Sequence, residues 1–173
     1  MIITVDNLKK QVSVTDTDEE VITTKLEAIE MVIRSYTNNN FQQRGVRFIG
    51  NSLGSKVYGS PQNFSIGDTV QISAPSLNEG LYQVTDVADD FIQLDKPLLP
   101  TNTNMVTKIK YPADVVQCAV DLYKWKMKMG DKVGVKSETI SRHSVTYEDS
   151  ATLYMGYPVG ILNGLYLHKK ARC

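Results

Sequence analysis

The side chains best suited to chemistry in this sequence are its two histidines, and neither has the neighbours that a reactive site requires. His143 and His168 stand far apart in the sequence, and no pair of cysteines lies near either one. A zinc site needs a cluster of His, Cys or carboxylate ligands. Ser141 and Ser144 flank His143, but neighbouring side chains on a strand point to opposite faces, so they do not form a nucleophile–base pair. We therefore expect no metal site, no cofactor and no catalytic site here.

Residues 50–56 contain the glycines and the lysine of a phosphate-binding loop, but at the wrong spacing. A P-loop needs a glycine, four residues and then Gly-Lys followed by Ser or Thr. Here Lys56 does not follow a glycine directly, and the next residue is Val57. Carboxylates at the ends of predicted strands fit turns better than catalysis. These carboxylates are Asp86, Asp89, Asp90 and Asp95. The sequence therefore indicates a protein that is not an enzyme.

Charge is balanced over the whole chain but uneven along it. Lys and Arg total 19, as do Asp and Glu, so no overall field draws the protein to nucleic acid or to anionic lipid. Residues 111–173 nevertheless carry nine basic and six acidic side chains. Head-to-tail self-association could use this asymmetry. The side chains that we expect to pair between subunits are Asp16, Asp18 and Glu19 on one subunit and Lys124 and Lys128 on the other.

The two cysteines and the apolar runs bear on where the protein works. Cys118 lies in a predicted helix and Cys173 is the last residue, so we expect no disulfide and a reducing compartment. We see no secretory signal pattern, and no apolar run approaches the roughly 20 residues of a membrane span. The expectation is a soluble protein that is made in the cytoplasm and has no membrane partner.

Two stretches with helical periodicity flank a middle region of different character. Thr17 and Glu20 form a capping box at the start of the first stretch, and Asn38 follows its end. The apolar residues at helical spacing are Ile22, Leu26, Ile29 and Ile33 in residues 17–37, and Val116, Val120 and Tyr123 in residues 112–129. We predict that these two apolar stripes pack against each other.

Between these stretches, residues 46–110 alternate apolar and polar side chains, as half-buried strands do. Four or five short strands separated by turn signals suit a closed or nearly closed barrel. We predict a long exposed loop at residues 51–64. The predicted fold class is α+β, with a small α-helical bundle (residues 1–44 and 111–173) and an inserted small β-barrel-like domain (residues 45–110).

Three segments outside the insertion occur in an order that resembles a known family. They are residues 4–41, with Thr4, Leu8-Lys9, Asp18, Leu26 to Glu30, Tyr36-Thr37 and Phe41; residues 112–125; and residues 136–158, with Lys136 to Ile140, Ser144 to Tyr147 and Gly156-Tyr157-Pro158. Together they resemble the head–tail connector, or head-completion adaptor, proteins of long-tailed bacteriophages. The third segment is the most specific. The inserted barrel departs from the shortest members of that family, in which the helices are joined more directly.

This resemblance implies a structural virion protein without catalysis. Copies of the chain would form a ring, usually a dodecamer, below the portal protein. The ring would extend the channel for the packaged DNA and dock a tail-side connector or stopper protein. The protein would act in the virion after synthesis in the host bacterial cytoplasm, and no cofactor or metal is implied. The inserted barrel would project outward or tailward as an extra docking surface.

The resemblance also implies which residues face the portal protein or a neighbouring subunit. They are Lys136, Ser137, Glu138, Ile140, Arg142, Val145 and Tyr147 in an extended segment, and Lys169, Lys170 and Arg172 in the tail. We expect residues 136–150 and the tail from His168 to become ordered only on assembly. Removal of residues 161–173 should then spare the fold but block incorporation into the connector.

A second class of function fits the same sequence. The barrel could be a binding module for a peptide or a nucleic acid, with the helices as its scaffold. The two hypotheses differ in the mass that they predict. A connector is a ring, or a monomer that waits for the portal protein, whereas a module binds its ligand as a monomer.

Overall fold

The computed structural model of the chain describes residues 1–14, 18–73, 76–129, 137–140, 143–146 and 152–171. The chain forms two compact units, one of residues 40–111 with Met1 and the other of residues 2–39 and 112–173. We call them the barrel unit and the helical unit. The domain boundaries that the sequence suggests stay a prediction.

The barrel unit is a closed antiparallel barrel of six strands. In chain order they are β1 (Gln42–Leu53), β2 (Lys56–Tyr58), β3 (Thr69–Ile72), β4 (Gly80–Val87), β5 (Phe91–Leu94) and β6 (Thr101–Ile109). Around the barrel they follow the order β1-β2-β5-β4-β3-β6, and β6 pairs with β1 to close it. Each strand thus has two hydrogen-bonded neighbours, which removes the exposed edges that would invite aggregation.

The interior of the barrel is filled by apolar side chains that alternate along the strands, as a period of two predicts. The rings of Phe48 and Phe64 meet edge to face with their centres 5.4 Å apart. The buried apolar cluster comprises Phe48, Val57, Phe64, Val70, Ile72, Val84, Ile92, Leu94, Leu98 and Val106. Because each Å² of apolar surface removed from water contributes roughly 25 cal/mol, this cluster is the main stabilising feature of the barrel.

β1 is a long strand that runs into the segment predicted to be a loop. Residues 51–64 contain the end of β1 and the whole of β2, and these strands pair with Asn51 opposite Tyr58. The predicted long loop is therefore wrong. Gly50 permits the close pairing, since a Cβ at this position would lie 2.0 Å from the carbonyl oxygen of Tyr58.

The structure corrects the predicted fold class. We predicted a small α-helical bundle with an inserted β-barrel-like domain, and this is wrong because the largest regular structure is the closed six-stranded barrel. The described helices are α1 (Val5–Lys9), α2 (Glu19–Thr37), α3 (Ala113–Met129) and α4 (Val159–Leu162). A bundle needs several helices that each present a long apolar stripe. Two of these four have five residues or fewer, which is too short for such a stripe.

Short strands accompany the helices in this unit. They are β7 (Ser137–Ile140), β8 (His143–Thr146), β9 (Leu153–Tyr154) and β10 (Tyr157–Pro158). β7 pairs with β8 and β9 pairs with β10, both antiparallel. Pro158 immediately precedes α4, and a 3-10 helix at Asn163–His168 follows α4 directly.

Local sequence signals set the two ends of α2. Asp18 is the N-cap, and its carboxylate accepts a hydrogen bond from the backbone N–H of Glu20 at 3.0 Å. Thr17, which we predicted for this role, lies outside the described residues. Asn38 ends the helix in the left-handed conformation, with a φ of 47°, so its predicted role as the stop is confirmed.

α2 and α3 pack against each other. Their buried apolar residues are Ile22, Leu26, Ile29, Val32 and Ile33 in α2, and Val115, Cys118, Ala119, Val120, Leu122 and Tyr123 in α3. All four residues of the predicted α2 stripe are thus buried. In α3 we predicted Val116 in the stripe, but it is only half-buried because the buried face runs through Val115 and Leu122 instead.

Candidate interaction surfaces

The last described residues of the chain are bound to the end of α2. The backbone N–H of Lys170 donates to the carbonyl oxygen of Thr37 at 2.8 Å. The side-chain amide of Asn38 donates to the carbonyl oxygens of Lys170 and Ala171 at 3.3 and 2.9 Å. The last carbonyl groups of a helix have no hydrogen-bond donor within the helix. The backbone N–H of Lys170 supplies a donor for one of these groups, that of Thr37. We call residues 163–171 the C-terminal segment.

Side chains tie the same segment to both long helices. The hydroxyl of Tyr36 donates to the side-chain oxygen of Asn163 at 2.8 Å, and the ammonium of Lys169 lies 3.8 Å from the centre of the Tyr36 ring. His168 Nε2 lies 2.6 Å from Oδ2 of Asp114, in the first turn of α3. This hydrogen bond is the main reason that the pKa of Asp114 lies below its ordinary value.

These contacts establish the direction of the two helices. The C-terminal segment joins the last turn of α2 to the first turn of α3. Near the opposite ends, the ammonium of Lys25 in α2 lies 3.6 Å from the sulfur of Met127 in α3. α2 and α3 therefore run antiparallel, and the start of α2 lies beside the end of α3.

The same contacts correct two expectations about the C-terminus. We expected the tail from His168 to become ordered only on assembly, but residues 168–171 are hydrogen-bonded within the chain. We also expected the fold to survive removal of residues 161–173. Leu162 and Leu165 are buried in the helical unit, with 0% and 1% of their surfaces exposed. That truncation would therefore remove part of the core.

Two large apolar side chains of the C-terminal segment face solvent. Tyr166 is 73% exposed and Leu167 is 90% exposed. A 3-10 helix repeats every three residues, so burial of Leu162 and Leu165 turns the intervening and following positions outward. Lys170, just beyond this helix, is exposed as well. We call Tyr166, Leu167 and Lys170 the C-terminal knob.

The structure describes part of the predicted portal-facing or neighbour-facing set. Ser137, Glu138 and Ile140 lie in β7 and Val145 lies in β8, with Glu138 opposite Val145. Lys169 and Lys170 lie in the C-terminal segment. The others, Lys136, Arg142, Tyr147 and Arg172, lie outside the described residues. β7 and β8 form an antiparallel pair, and the rest of residues 136–150, which we expected to become ordered only on assembly, lies outside the described residues. Contact with a portal protein stays a prediction for the whole set.

The charges predicted to pair between subunits lie at one end of the helical unit. They are Asp18 and Glu19 at the start of α2 and Lys124 and Lys128 toward the end of α3, while Asp16 lies outside the described residues. Glu19 forms an ion pair with Lys9 at 2.5 Å, and Lys124 lies 3.7 Å from Asp121. Both pairs are exposed, so each adds little to stability. The pairing between subunits stays a prediction.

Three stretches of the barrel unit have no charged residue in their sequence. The sequence contains no Asp, Glu, Lys or Arg in residues 48–55, 69–78 or 97–107. The first and third stretches meet where the backbone N–H of Leu98 donates to the carbonyl oxygen of Gly54 at 2.8 Å, and Asn78 joins the second to them through its bond to the carbonyl oxygen of Leu99. The exposed leucines here are Leu53, Leu77 and Leu99, with 62%, 67% and 55% of their surfaces exposed. We call the surface that these three leucines form the charge-free end.

Beneath the charge-free end lies a buried network of polar side chains. The amide of Asn78 donates to the carbonyl oxygen of Leu99 and to the side-chain oxygen of Asn104, each at 2.9 Å, and its own oxygen accepts from the N–H of Leu99 at 2.9 Å. The hydroxyl of Ser52 donates to the carbonyl oxygen of Leu99 at 2.7 Å. The amide of Asn104 donates to the carbonyl oxygen of Gly50 at 3.1 Å. These hydrogen bonds fix the position of the backbone that carries the exposed leucines.

Sequence reasoning missed this network. Asn favours turns, so by themselves Asn78 and Asn104 fit the turn signals that separate the predicted strands. The absence of charged residues from these three stretches of sequence could have indicated a buried polar network. Asn, Ser and Thr side chains can be buried at low cost once they are hydrogen-bonded, whereas charged side chains cannot.

The remaining candidate chemistry concerns Cys118 and metal ligands. Cys118 is buried, and this burial, with a smaller effect of Asp121 and Asp114, raises the pKa of its thiol to about 12. The reactive thiolate is therefore scarce at neutral pH. Among the described residues, no three His, Cys, Asp or Glu side chains are grouped so that they could hold a metal ion. Within the same residues, every helix is too short or too polar to span a membrane.

No family model matches the chain, and no curated protein matches it either.

Proposed function

We propose that the protein is a head–tail connector, or head-completion adaptor, of a long-tailed bacteriophage. Copies of the chain form a ring below the portal protein. The ring extends the DNA channel and docks a tail-side connector or stopper protein. In this proposal the chain acts in the virion as a structural protein, and its surfaces rather than a catalytic site perform its function.

The observation that carries the proposal is the C-terminal knob. Tyr166 and Leu167 are 73% and 90% exposed on a segment that several hydrogen bonds hold against α2 and α3. Large apolar side chains on an ordered, exposed backbone are typical of protein–protein contacts, and Tyr is enriched at their centres. The knob lies near the stretch whose resemblance to connector proteins is most specific, residues 136–158, with residues 159–165 between the two. The sequence pattern and the exposed surface thus favour the same part of the chain as an interface.

The charge-free end of the barrel supports a second docking surface. Nucleic-acid binding depends on Lys and Arg that neutralise phosphates, so an uncharged end is poorly suited to DNA. Three leucines on a fixed frame suit an apolar protein surface, because little side-chain or loop entropy is lost when they are covered. We assign this end to the tail-side partner.

The proposal is tested by substituting the knob in the phage that encodes the chain. With Tyr166→Ser and Leu167→Ser together, DNA-filled heads should accumulate without tails and lose their genomes. Purified variant protein should keep the circular dichroism of the wild type, because both side chains are exposed. Met155→Asn is a matched control, since Met155 is 63% exposed but lies outside the knob. Normal yields of infectious particles from the double variant would contradict the proposal.

The alternative function, a barrel-based binding module, is favoured by one observation only, the charge-free end. Its lack of charge suits an apolar peptide better than a nucleic acid. Sedimentation of the purified chain with and without portal protein separates the two functions. If the chain is a connector, it should sediment with the portal protein as a complex that is heavier than the portal protein by the mass of a ring. If the chain is a binding module, it should sediment as a monomer in both samples.

A further inference from the structure

The C-terminal knob needs a complementary surface, and the helical unit itself carries one. Residues 20, 21, 24, 27, 28, 31 and 35 of α2 are all exposed. At about 100° per residue they share one face of the helix, opposite the buried stripe. We call this set of seven residues the outer face of α2. We propose that the C-terminal knob of one copy of the chain docks on the outer face of α2 in a second copy.

The apolar parts of the two surfaces match. The knob presents Tyr166 and Leu167, which are 73% and 90% exposed. The outer face of α2 presents Val21 and Met31, which are 41% and 57% exposed, with the small Ala28 between them. Contact between these side chains removes apolar surface from water on both copies, which favours association.

The charges of the two surfaces are opposite. The knob carries Lys170 and no carboxylate of its own, whereas the ammonium of the adjacent Lys169 lies over the Tyr36 ring and the nearby Asp114 carboxylate contacts His168. The outer face of α2 includes Glu20 and Glu27 and has no Lys or Arg. Complementary charges speed the encounter and fix the register of an interface. The same charges disfavour contact of one knob with another, because like charges would meet.

This contact is heterologous, since the knob and the outer face of α2 are different surfaces. An open row of copies then leaves one unused knob at one end and one unused outer face at the other, until the row closes into a ring. The inference rests on the proposed connector function, which requires such a ring, and adds the residues that build it. It differs from the pairing of Asp18 and Glu19 with Lys124 and Lys128, which involves only one end of the helical unit.

Cysteine cross-linking tests the direction of the contact. Two full-length proteins are made in the background of Cys173→Ser, one with Leu167→Cys and one with Val21→Cys. Under mild oxidation, a mixture of the two should give a covalent dimer, whereas each protein alone should not. Cys118 stays in place because it is buried. Replacing the Leu167→Cys protein by one with Met155→Cys is the matched control and should give no dimer above background.

Sedimentation velocity over a range of protein concentrations tests the energetics. Leu167→Ser should weaken self-association by about tenfold or more, as loss of a central apolar contact does. Lys170→Glu should also weaken it, and Glu20→Lys added to Lys170→Glu should restore part of the loss. Lys110→Glu reverses another exposed lysine, in the barrel unit, and should change little.

Two outcomes overturn the inference without touching the proposed function. In the first, wild-type protein stays a monomer at every concentration and yet adds a ring to the portal protein. In the second, rings form but neither Leu167→Ser nor the mixed cysteines have the expected effect. If no ring forms on the portal protein either, the proposed function fails together with the inference.

Discussion

The contacts that stabilise the barrel unit internally differ from those that stabilise the helical unit. The barrel unit comes almost entirely from one stretch of chain, residues 40–111, and its strands close around a single apolar cluster. The helical unit joins residues 2–39 to residues 112–173. Its ties include the hydrogen bonds from Tyr36 to Asn163 and from Asn38 to Lys170, whose partners are 127 and 132 positions apart.

This difference assigns different tasks to the two units. A barrel formed by one stretch of chain can keep its structure when other parts of the protein change partners. A unit that depends on its own C-terminal segment is sensitive to events at that segment, where the knob lies. We therefore expect damage to the barrel core to stay local and damage to the C-terminal segment to affect the contact between α2 and α3.

The largest effects should come from cavities in the two cores. Ile72 is fully buried in the barrel, so Ile72→Ala should lower the free energy of unfolding of the barrel by ~2–5 kcal/mol. Hydrogen exchange of the β3 and β6 amides should quicken accordingly. The fluorescence of Trp125, the one tryptophan of the sequence, reports on α3 and should keep its urea midpoint. An equal shift of both signals would show that the two units unfold as one.

The reciprocal change lies in α2. Leu26 is fully buried, so Leu26→Ala should cost ~2–5 kcal/mol in the helical unit. The urea midpoint of Trp125 fluorescence should fall, while exchange of the β3 amides stays slow. Glu27→Ala is a neighbouring control on the exposed side of the helix. If Leu26→Ala leaves the Trp125 midpoint unchanged, the packing of α2 on α3 is wrong.

A smaller effect is expected at the polar network of the barrel. Asn78→Ala removes the acceptor of the buried Leu99 N–H and one of the two donors to the side-chain oxygen of Asn104, which should cost ~1–3 kcal/mol. Exchange of the Leu99 amide should quicken more than exchange in β3, because the network fixes this loop and not the apolar cluster. Asn102→Ala, at an exposed position, is the control. Equal protection in the variant and the wild type would show that the leucines do not need the network.

The smallest effect should come from the hydrogen bond between His168 and Asp114. It holds the pKa of Asp114 below its ordinary value, so the unfolded chain takes up this proton more readily than the folded chain. The stabilisation is therefore present above the ordinary Asp pKa of about 3.9 and is lost as the pH falls below it. Asp114→Asn should lower the urea midpoint slightly at neutral pH. The difference in urea midpoint between the variant and the wild type should narrow at about pH 3. A difference in urea midpoint that widens in acid would contradict this role of the hydrogen bond.

The same comparison explains what could be predicted from the sequence. The buried stripe of α2 and the apolar alternation of the barrel follow from local periodicity, so Leu26 and Ile72 were predictable. The end of β1 and the whole of β2, within residues 51–64, were not predictable, because Gly50, Ser52 and Gly54 are residue types that favour turns.

Features that depend on distant contacts were harder to predict. Nothing local indicates that Asn38 would bind Lys170, or that Asn78 would be buried against Asn104. Both Asn residues fit turns by themselves, and their partners are set only once the fold brings remote segments together. The fold class failed for a related reason, since two long helices in a sequence suggest a bundle until the shortness of the others is known.

We propose that the chain forms a ring on a portal protein. Electron microscopy of the purified full-length chain, alone and mixed with portal protein encoded by the same phage, tests this claim most directly. The account predicts a ring of added density coaxial with the portal channel, which is absent when Tyr166→Ser and Leu167→Ser are combined and present with Met155→Asn. Portal particles without added density in the wild-type mixture, with the chain still a free monomer, would contradict it.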